Sequence, residues 1–157
     1  MPEDSRNNLP EGYILVEGSY PSIEDYLHLR VVNGLTPKNR EQAAGAFKGG
    51  WYGAFIVHES EPTRAVAMGR VVGDGGWYFL IADMATLPSH QRKGLGDVIL
   101  KHLLATIEAR APVGKLFVNL VADPPGKRLY LKNGFEEFPA GQHSGMGKLI
   151  EVRGREA

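Results

Sequence analysis

Residues 81–104 read IADMATLPSHQRKGLGDVILKHLL, and the hydrophobic period changes partway along them. Up to Leu87 the residues continue a β-rich run, WYFLIADMATL (77–87), which reads as one long strand. From Leu95 the apolar residues fall at Leu95, Ile99, Leu103 and Ile107, with Val98 and Leu104 alongside, which is the face of a helix. The turn between them, SHQRKGLGD (89–97), holds two cations and two glycines. A strand that runs through such a turn into a helix brings together unsatisfied backbone N–H groups, the positive end of the helix dipole, Arg92 and Lys93. That combination suits an anion. Gly94 and Gly96 let phosphate oxygens approach the backbone with no Cβ in the way. The turn is neither of the two familiar phosphate loops. Ile99 stands where a dinucleotide turn needs its third glycine, and the chain has no Gly-Lys-Ser/Thr.

Working outward, GYILVEG (12–18) predicts a first strand. Ser22 and Asp25 form the start of a helix carrying Ile23, Leu27 and Val31, and Thr36-Pro37 caps and opens a second that ends near Gly49-Gly50. WYGAFIVHE (51–59) and RAVAMGRVV (64–72) are strands, and Gly73 to Gly76 supplies a hairpin turn in which Asp74 serves the turn. After the helix from Leu95, KLFVNLV (115–121) is a strand, Pro124-Pro125 opens a helix that Gly134 terminates, and GMGKLIEV (145–152) is a last strand, with one more strand allowed near 135–138. The order β-α-α-β-β-β-α-β-α-β(-β) describes a mixed α/β domain. Its antiparallel strands come first, and a strand-helix-strand crossover lies in the middle. One domain over 12–153 is expected, with loose ends at 1–11 and 154–157.

Composition narrows the chemistry. The 157 residues are 43% hydrophobic, enough for one core, and 18 basic residues balance 18 acidic ones, so no global field draws the chain to nucleic acid or an anionic membrane. The absence of cysteine removes thiolate nucleophiles, disulfides and Cys-based zinc sites. The polar, acidic opening does not read as a signal peptide, and no apolar run approaches the roughly 20 residues of a membrane span, so a cytoplasmic protein is expected. The five histidines, at 28, 58, 90, 102 and 143, lack metal-ligand spacing, so no metal is expected, and no Gly-x-Ser-x-Gly marks a serine hydrolase.

The stretch at 81–104 resembles the signature of the GNAT (GCN5-related N-acetyltransferase) superfamily, a strand ending at Gln/Arg-x-x-Gly-x-Gly/Ala before a helix. RLYLKNGF (128–135) is similar to the late helix end of that family, and MGRVVGDGGWYFLI (68–81) to the hairpin of its small members. The resemblance implies a GNAT-like mixed central sheet flanked by helices, with acetyl-coenzyme A as co-substrate. It implies that Gln91, Arg92, Lys93, Gly94, Leu95 and Gly96 hold the pyrophosphate and that Met84, Ala85 and Thr86 pair with the pantetheine arm, with a backbone amide there polarising the thioester carbonyl. It also implies that Tyr130 protonates the departing sulfur. The chain departs from the family pattern at Asp123, where Asn is common; a carboxylate accepts but cannot donate.

Asp83 is the second candidate for chemistry. Strict alternation places it on one face with Trp77, Phe79, Ile81 and Ala85, a carboxylate in an apolar row. It reads either as a group that binds or deprotonates an amine or as an Asp paired with a basic neighbour near a strand bulge. Trp51, Tyr52, Trp77 and Tyr78 read as packing or as the lining of an acceptor pocket. The function expected is acetyl transfer to a primary amine of a small molecule by direct attack in a ternary complex. The alternatives are a protein or peptide acceptor, or a non-catalytic acyl-coenzyme A module. Sequence leaves the oligomeric state open, a homodimer included.

Overall fold

The computed structural model describes residues 8–139, 141 and 144–154. His143, most of residues 1–11 and the tail beyond 154 lie outside them. The chain divides into two compact units, one ending at Asp123 and one starting at Pro124.

The first unit is a five-stranded sheet in the order β1-β2-β3-β4-β5: β1 (Tyr13–Glu17), β2 (Tyr52–His58), β3 (Glu61–Gly73), β4 (Tyr78–Thr86) and β5 (Phe117–Asn119). The first four strands are antiparallel neighbours, and β5 joins β4 in parallel. The crossover between β4 and β5 is α3 (Leu95–Arg110), in agreement with the hydrophobic spacing from Leu95. Its Leu95, Val98, Ile99, Leu103 and Ile107 are buried.

α1 (Ile23–Val32) starts at Ser22, whose hydroxyl accepts the Asp25 N–H at 3.1 Å, as expected. α2 (Arg40–Gly49) starts later than Thr36-Pro37 predicted. Asn39 and Gln42 exchange reciprocal bonds, Asn39 Oδ1 accepting the Gln42 N–H at 2.8 Å and Gln42 Oε1 accepting the Asn39 N–H at 3.1 Å. That two-bond cap satisfies one more orphan donor than a single Thr can.

The hairpin between β3 and β4 turns on Asp74, whose Oδ1 accepts the N–H groups of Gly76, Trp77 and Tyr78, while Gly75 adopts φ +76°. Two faces of the sheet are distinguished at adjacent residues of β3. A Cβ built on Gly69 would come within 2.8 Å of Ile99 and 3.2 Å of Leu103, both on α3. Arg70 beside it reaches the opposite face, where α1 lies. Tyr20 and Phe47 stack on that α1 side at 4.6 Å between ring centroids, with Tyr26 edge-on to Phe47.

The second unit contains α4 (Lys127–Lys132), preceded by a 3₁₀ turn at Pro124–Gly126. Gly134, at φ +85°, ends the helix: its N–H donates to Leu131 C=O and that of Phe135 to Tyr130 C=O. These two bonds, with the Phe135 ring edge-on to Tyr130 at 5.9 Å, make a Schellman motif. The expected strand at 145–152 is absent, as is one near 135–138. Gly145 and Gly147 weaken the first run for strand formation. Among the described residues no helix is long and apolar enough to cross a membrane.

Candidate active site

β4 is the element on which the site is built, and its two long edges differ. Against β3 it is paired from Phe79 to Thr86, but its ladder with β5 covers only Tyr78, Phe79 and Leu80. From Ile81 onward β4 parts from β5. Along the β3 side, Arg70 pairs with Ala82 and Met68 with Ala85, so Asp83 and Met84 together oppose the single Gly69. This is a β-bulge, and Asp83 carries its strain at φ +55°.

The bulge overturns the alternation expected for Asp83. Paired residues share a face, so Phe79 and Ile81 lie with Gly73 and Val71 on the α3 side, while Ala85 lies with Met68 on the other. The extra residue sends Asp83 to the α1 side. There its carboxylate accepts from the Tyr26 hydroxyl at 2.6 Å, from Arg70 Nε at 2.5 Å and from Arg30 Nη1. Its side chain is only 8% exposed. Burial alone raises the Asp83 pKa, but the Tyr26 hydroxyl and the two guanidinium groups outweigh it and hold the carboxyl below the usual range. Of the two readings held for Asp83, the arrangement present is the Asp paired with basic neighbours near a bulge. Burial, with the Asp83 bond next, pushes the Tyr26 phenol up.

The arginines and Tyr26 were missed by the sequence reading. Arg70 carried a signal, a lone cation inside the apolar strand run AVAMGRVV (65–72). Arg30 also donates to Thr36 C=O at 2.8 Å, tying the end of α1 to the loop after it.

At the C-terminal end of β4 the Thr86 carbonyl accepts from Asn33 Nδ2 at 3.1 Å and from Gln91 Nε2 at 3.2 Å. Gln91 thereby braces the start of the phosphate-binding candidate loop with its side chain. In that loop Arg92 (φ +61°) and Gly94 (φ +79°) are both left-handed. Gly94 is the N-cap of α3 and offers no side-chain cap. The first helical bond there is Val98 N–H to Gly94 C=O at 3.1 Å, so the N–H groups of Leu95, Gly96 and Asp97 precede the helical ladder at the positive dipole end. Arg92 and Lys93 are exposed beside them, and the Asp97 carboxylate is offset by Lys101 Nζ at 2.7 Å.

His90, just before the loop, shares a hydrogen bond with the Tyr13 hydroxyl through Nδ1 at 2.7 Å. Burial, then His58 and Lys93, depress its pKa. Tyr52 is buried under α3, its hydroxyl 2.8 Å from His102 Nε2, and Trp51 packs edge-on to Phe79 at 5.0 Å, so both serve packing. Trp77 and Tyr78 are exposed, with Tyr78 edge-on to Phe117 of β5. No group of three metal-ligating side chains occurs among the described residues.

An acetyltransferase (GNAT) domain model matches residues 51–137. The chain belongs to the GNAT acetyltransferase family. A structure from methicillin-resistant Staphylococcus aureus, described as that of a protein of unknown function and probable acetyltransferase, is 34% identical to this acetyltransferase. It covers 89% of this chain and 99% of its own, with a TM-score of 0.77. A GNAT acetyltransferase from Streptococcus pneumoniae is 24% identical over 88% of this chain and 98% of its own, with a TM-score of 0.71. Glucosamine-6-phosphate N-acetyltransferase from Arabidopsis thaliana is 17% identical over 90% and 100%, with a TM-score of 0.66. The last two likenesses speak for the fold alone. None of the curated proteins matches the sequence. In the acetyltransferase, Tyr130 lies in the second unit, half-buried on α4 and against Phe135.

Proposed function

We propose that the acetyltransferase transfers the acetyl group of acetyl-coenzyme A to a primary amine of a small molecule, by direct attack within a ternary complex. The observation that carries this reading is the loop at Gln91–Gly96, where two left-handed residues and the uncapped start of α3 gather backbone N–H groups beside Arg92 and Lys93. The pyrophosphate is assigned to Gln91, Arg92, Lys93, Gly94, Leu95 and Gly96. The pantetheine arm is assigned to the edge of β4 at Met84, Ala85 and Thr86, beyond the point where β5 leaves it.

In this reading the amine nitrogen attacks the thioester carbon, an amide of the β4 bulge stabilises the oxyanion, and the carbon–sulfur bond breaks. We assign the proton that the sulfur takes up to the Tyr130 hydroxyl, on the RLYLKNGF match; a phenol is protonated at pH 7 and a thiolate of pKa about 8.5 accepts from it only slightly uphill. Asp83 is left out of proton transfer. A carboxylate already accepting from one hydroxyl and two guanidinium groups, and held below its usual pKa, is a weak base. Removing the proton from an amine of pKa about 10.4 costs about 5 kcal/mol at pH 7, and water is the group left to take it.

The small acceptor is the reading favoured here over a protein or peptide amino group. Support for it comes from a fold neighbour whose name gives it a small amine as acceptor, the glucosamine-6-phosphate N-acetyltransferase from Arabidopsis thaliana. Release of free thiol from acetyl-coenzyme A in the presence of a panel of small amines and peptide amino termini tests the reading. Turnover with small amines supports it. Turnover with peptides alone moves the acceptor to protein, and tight coenzyme binding with no release for any amine leaves a non-catalytic module.

A further inference from the structure

The bulge in β4 is fastened on both faces of the sheet, by unlike means. On the α1 face Asp83, at φ +55°, is gripped by Tyr26 and Arg30 from α1 and by Arg70 from β3. On the α3 face the partner residue Met84 lays its sulfur over Gly69, in the space that a Cβ at position 69 would fill, hemmed by Ile99 and Leu103. A left-handed conformation is costly for most residues and least so for Asp and Asn. The conformation persists here because three donors over-determine it. Gly69 is equally specific: β3 is otherwise buried and apolar at Val66, Ala67, Met68 and Val71, and the one residue opposite the bulge has no side chain.

Asp83 is thus tied to the backbone that turns toward the open edge of β4, in the residue immediately before Met84. Its Oδ2 already accepts from Tyr26 and Arg70 and its Oδ1 from Arg30. We propose that Asp83 and Gly69 act together as positioning residues: the ion cluster and the glycine notch fix the bulge in the geometry from which Met84–Thr86 addresses the thioester. This inference rests on the assignment of the coenzyme arm to that edge. It gives the reaction two rate-determining positions that touch no reacting atom.

The test uses the full chain with acetyl-coenzyme A and the best amine of the thiol-release panel, comparing Asp83→Asn, Gly69→Ala and Tyr26→Phe. Asn tolerates the left-handed backbone but loses the charge; Ala presses its Cβ on the Met84 sulfur and on Ile99 without touching any charge; Phe deletes a single donor. Expected is a fall in kcat of about 10²-fold in the first two, the size of a misplacement of about 1 Å, and a smaller fall in Tyr26→Phe. Coenzyme A affinity by calorimetry falls much less than kcat in all three, because the loop at 91–96 supplies phosphate contacts of its own. The pH–rate profile, which amine deprotonation is expected to make rise from about pH 6 to 8.5, keeps its rising limb at the same pH. Should Asp83→Asn leave two arginines unpaired and fail to fold, Gly69→Ala and Tyr26→Phe still decide. Folded variants with a lowered melting temperature and unchanged kcat overturn the proposal in favour of a purely structural bulge. Loss of the rising limb in Asp83→Asn with wild-type kcat in Gly69→Ala overturns it in favour of Asp83 as base. A wild type that binds no coenzyme A fails the parent assignment before any variant is made, and so is told apart from a failure of the clamp.

Discussion

Replacing Gly94 by Ala isolates a backbone effect in the loop proposed to hold the coenzyme. Gly94 sits at φ +79°, and a Cβ built there meets nothing within 4 Å. No clash contributes, and the only penalty is that of an L-residue in the left-handed region, about 1–2 kcal/mol. Gly94 is exposed, so little tertiary packing opposes a change of conformation, and the free variant is expected to relax the loop and keep its melting temperature. Binding must then restore the conformer in which the N–H groups converge, so the penalty moves into affinity. At 1.4 kcal/mol per tenfold, Kd for coenzyme A rises by about five- to thirtyfold. Gly94→Asn is the control, because Asn adopts the same backbone at lower cost, and its loss is expected to be the smaller of the two. Calorimetric titration of both variants gives the answer. Unchanged affinity in a folded Gly94→Ala, or equal losses in Ala and Asn, would refute the claim that this left-handed residue shapes the anion site.

Gly96→Val, in the first turn of α3, puts a branched Cβ in the proposed pyrophosphate site, and most coenzyme A affinity is expected to disappear while circular dichroism stays that of the wild type. Tyr130→Phe deletes one hydroxyl and keeps the ring against Phe135; kcat is expected to fall about 10²-fold at unchanged melting temperature, with partial recovery for an acyl donor whose thiol has a lower pKa. Acid titration of stability tests the Asp83 cluster. Its folded pKa is depressed, so its contribution is complete above the unfolded value of about 3.9 and is lost as pH falls through the lowered folded value. The gap in melting temperature between wild type and Asp83→Asn is therefore expected to be full at pH 6 and to shrink below about pH 4; a gap independent of pH would count against the ion cluster.

Elements whose signals are local were legible in the sequence. Leu95, Ile99, Leu103 and Ile107 declared α3, Asp74 and Gly75 declared the hairpin, and Ser22 declared the start of α1. α2 was misplaced because Thr36-Pro37 and Asn39-Gln42 are both credible starts, and the one that makes two reciprocal bonds prevails. The face of Asp83 was unreadable for a different reason. Alternation assumes one residue per register position, and the bulge opposite Gly69 inserts a second. Nor does any spacing join Asp83 to Arg30, which lies 53 residues away and meets it only because α1 packs against β4. The run at 145–152 has strand composition and no strand, since composition supplies one edge of a ladder and never its partner.

The three-residue ladder between β4 and β5 has a cost outside catalysis. Past Leu80 that margin of the strand carries backbone donors and acceptors for which β5 provides no mates, although the sheet continues on the other side. Such a margin is a template for any extended chain, the coenzyme arm being one candidate and a stray peptide or a second molecule of this protein another. In the proposed mode of binding, occupancy of that edge by the coenzyme arm would guard against unwanted strand addition. Stock solutions kept with coenzyme should remain clear at concentrations where the bare protein begins to associate.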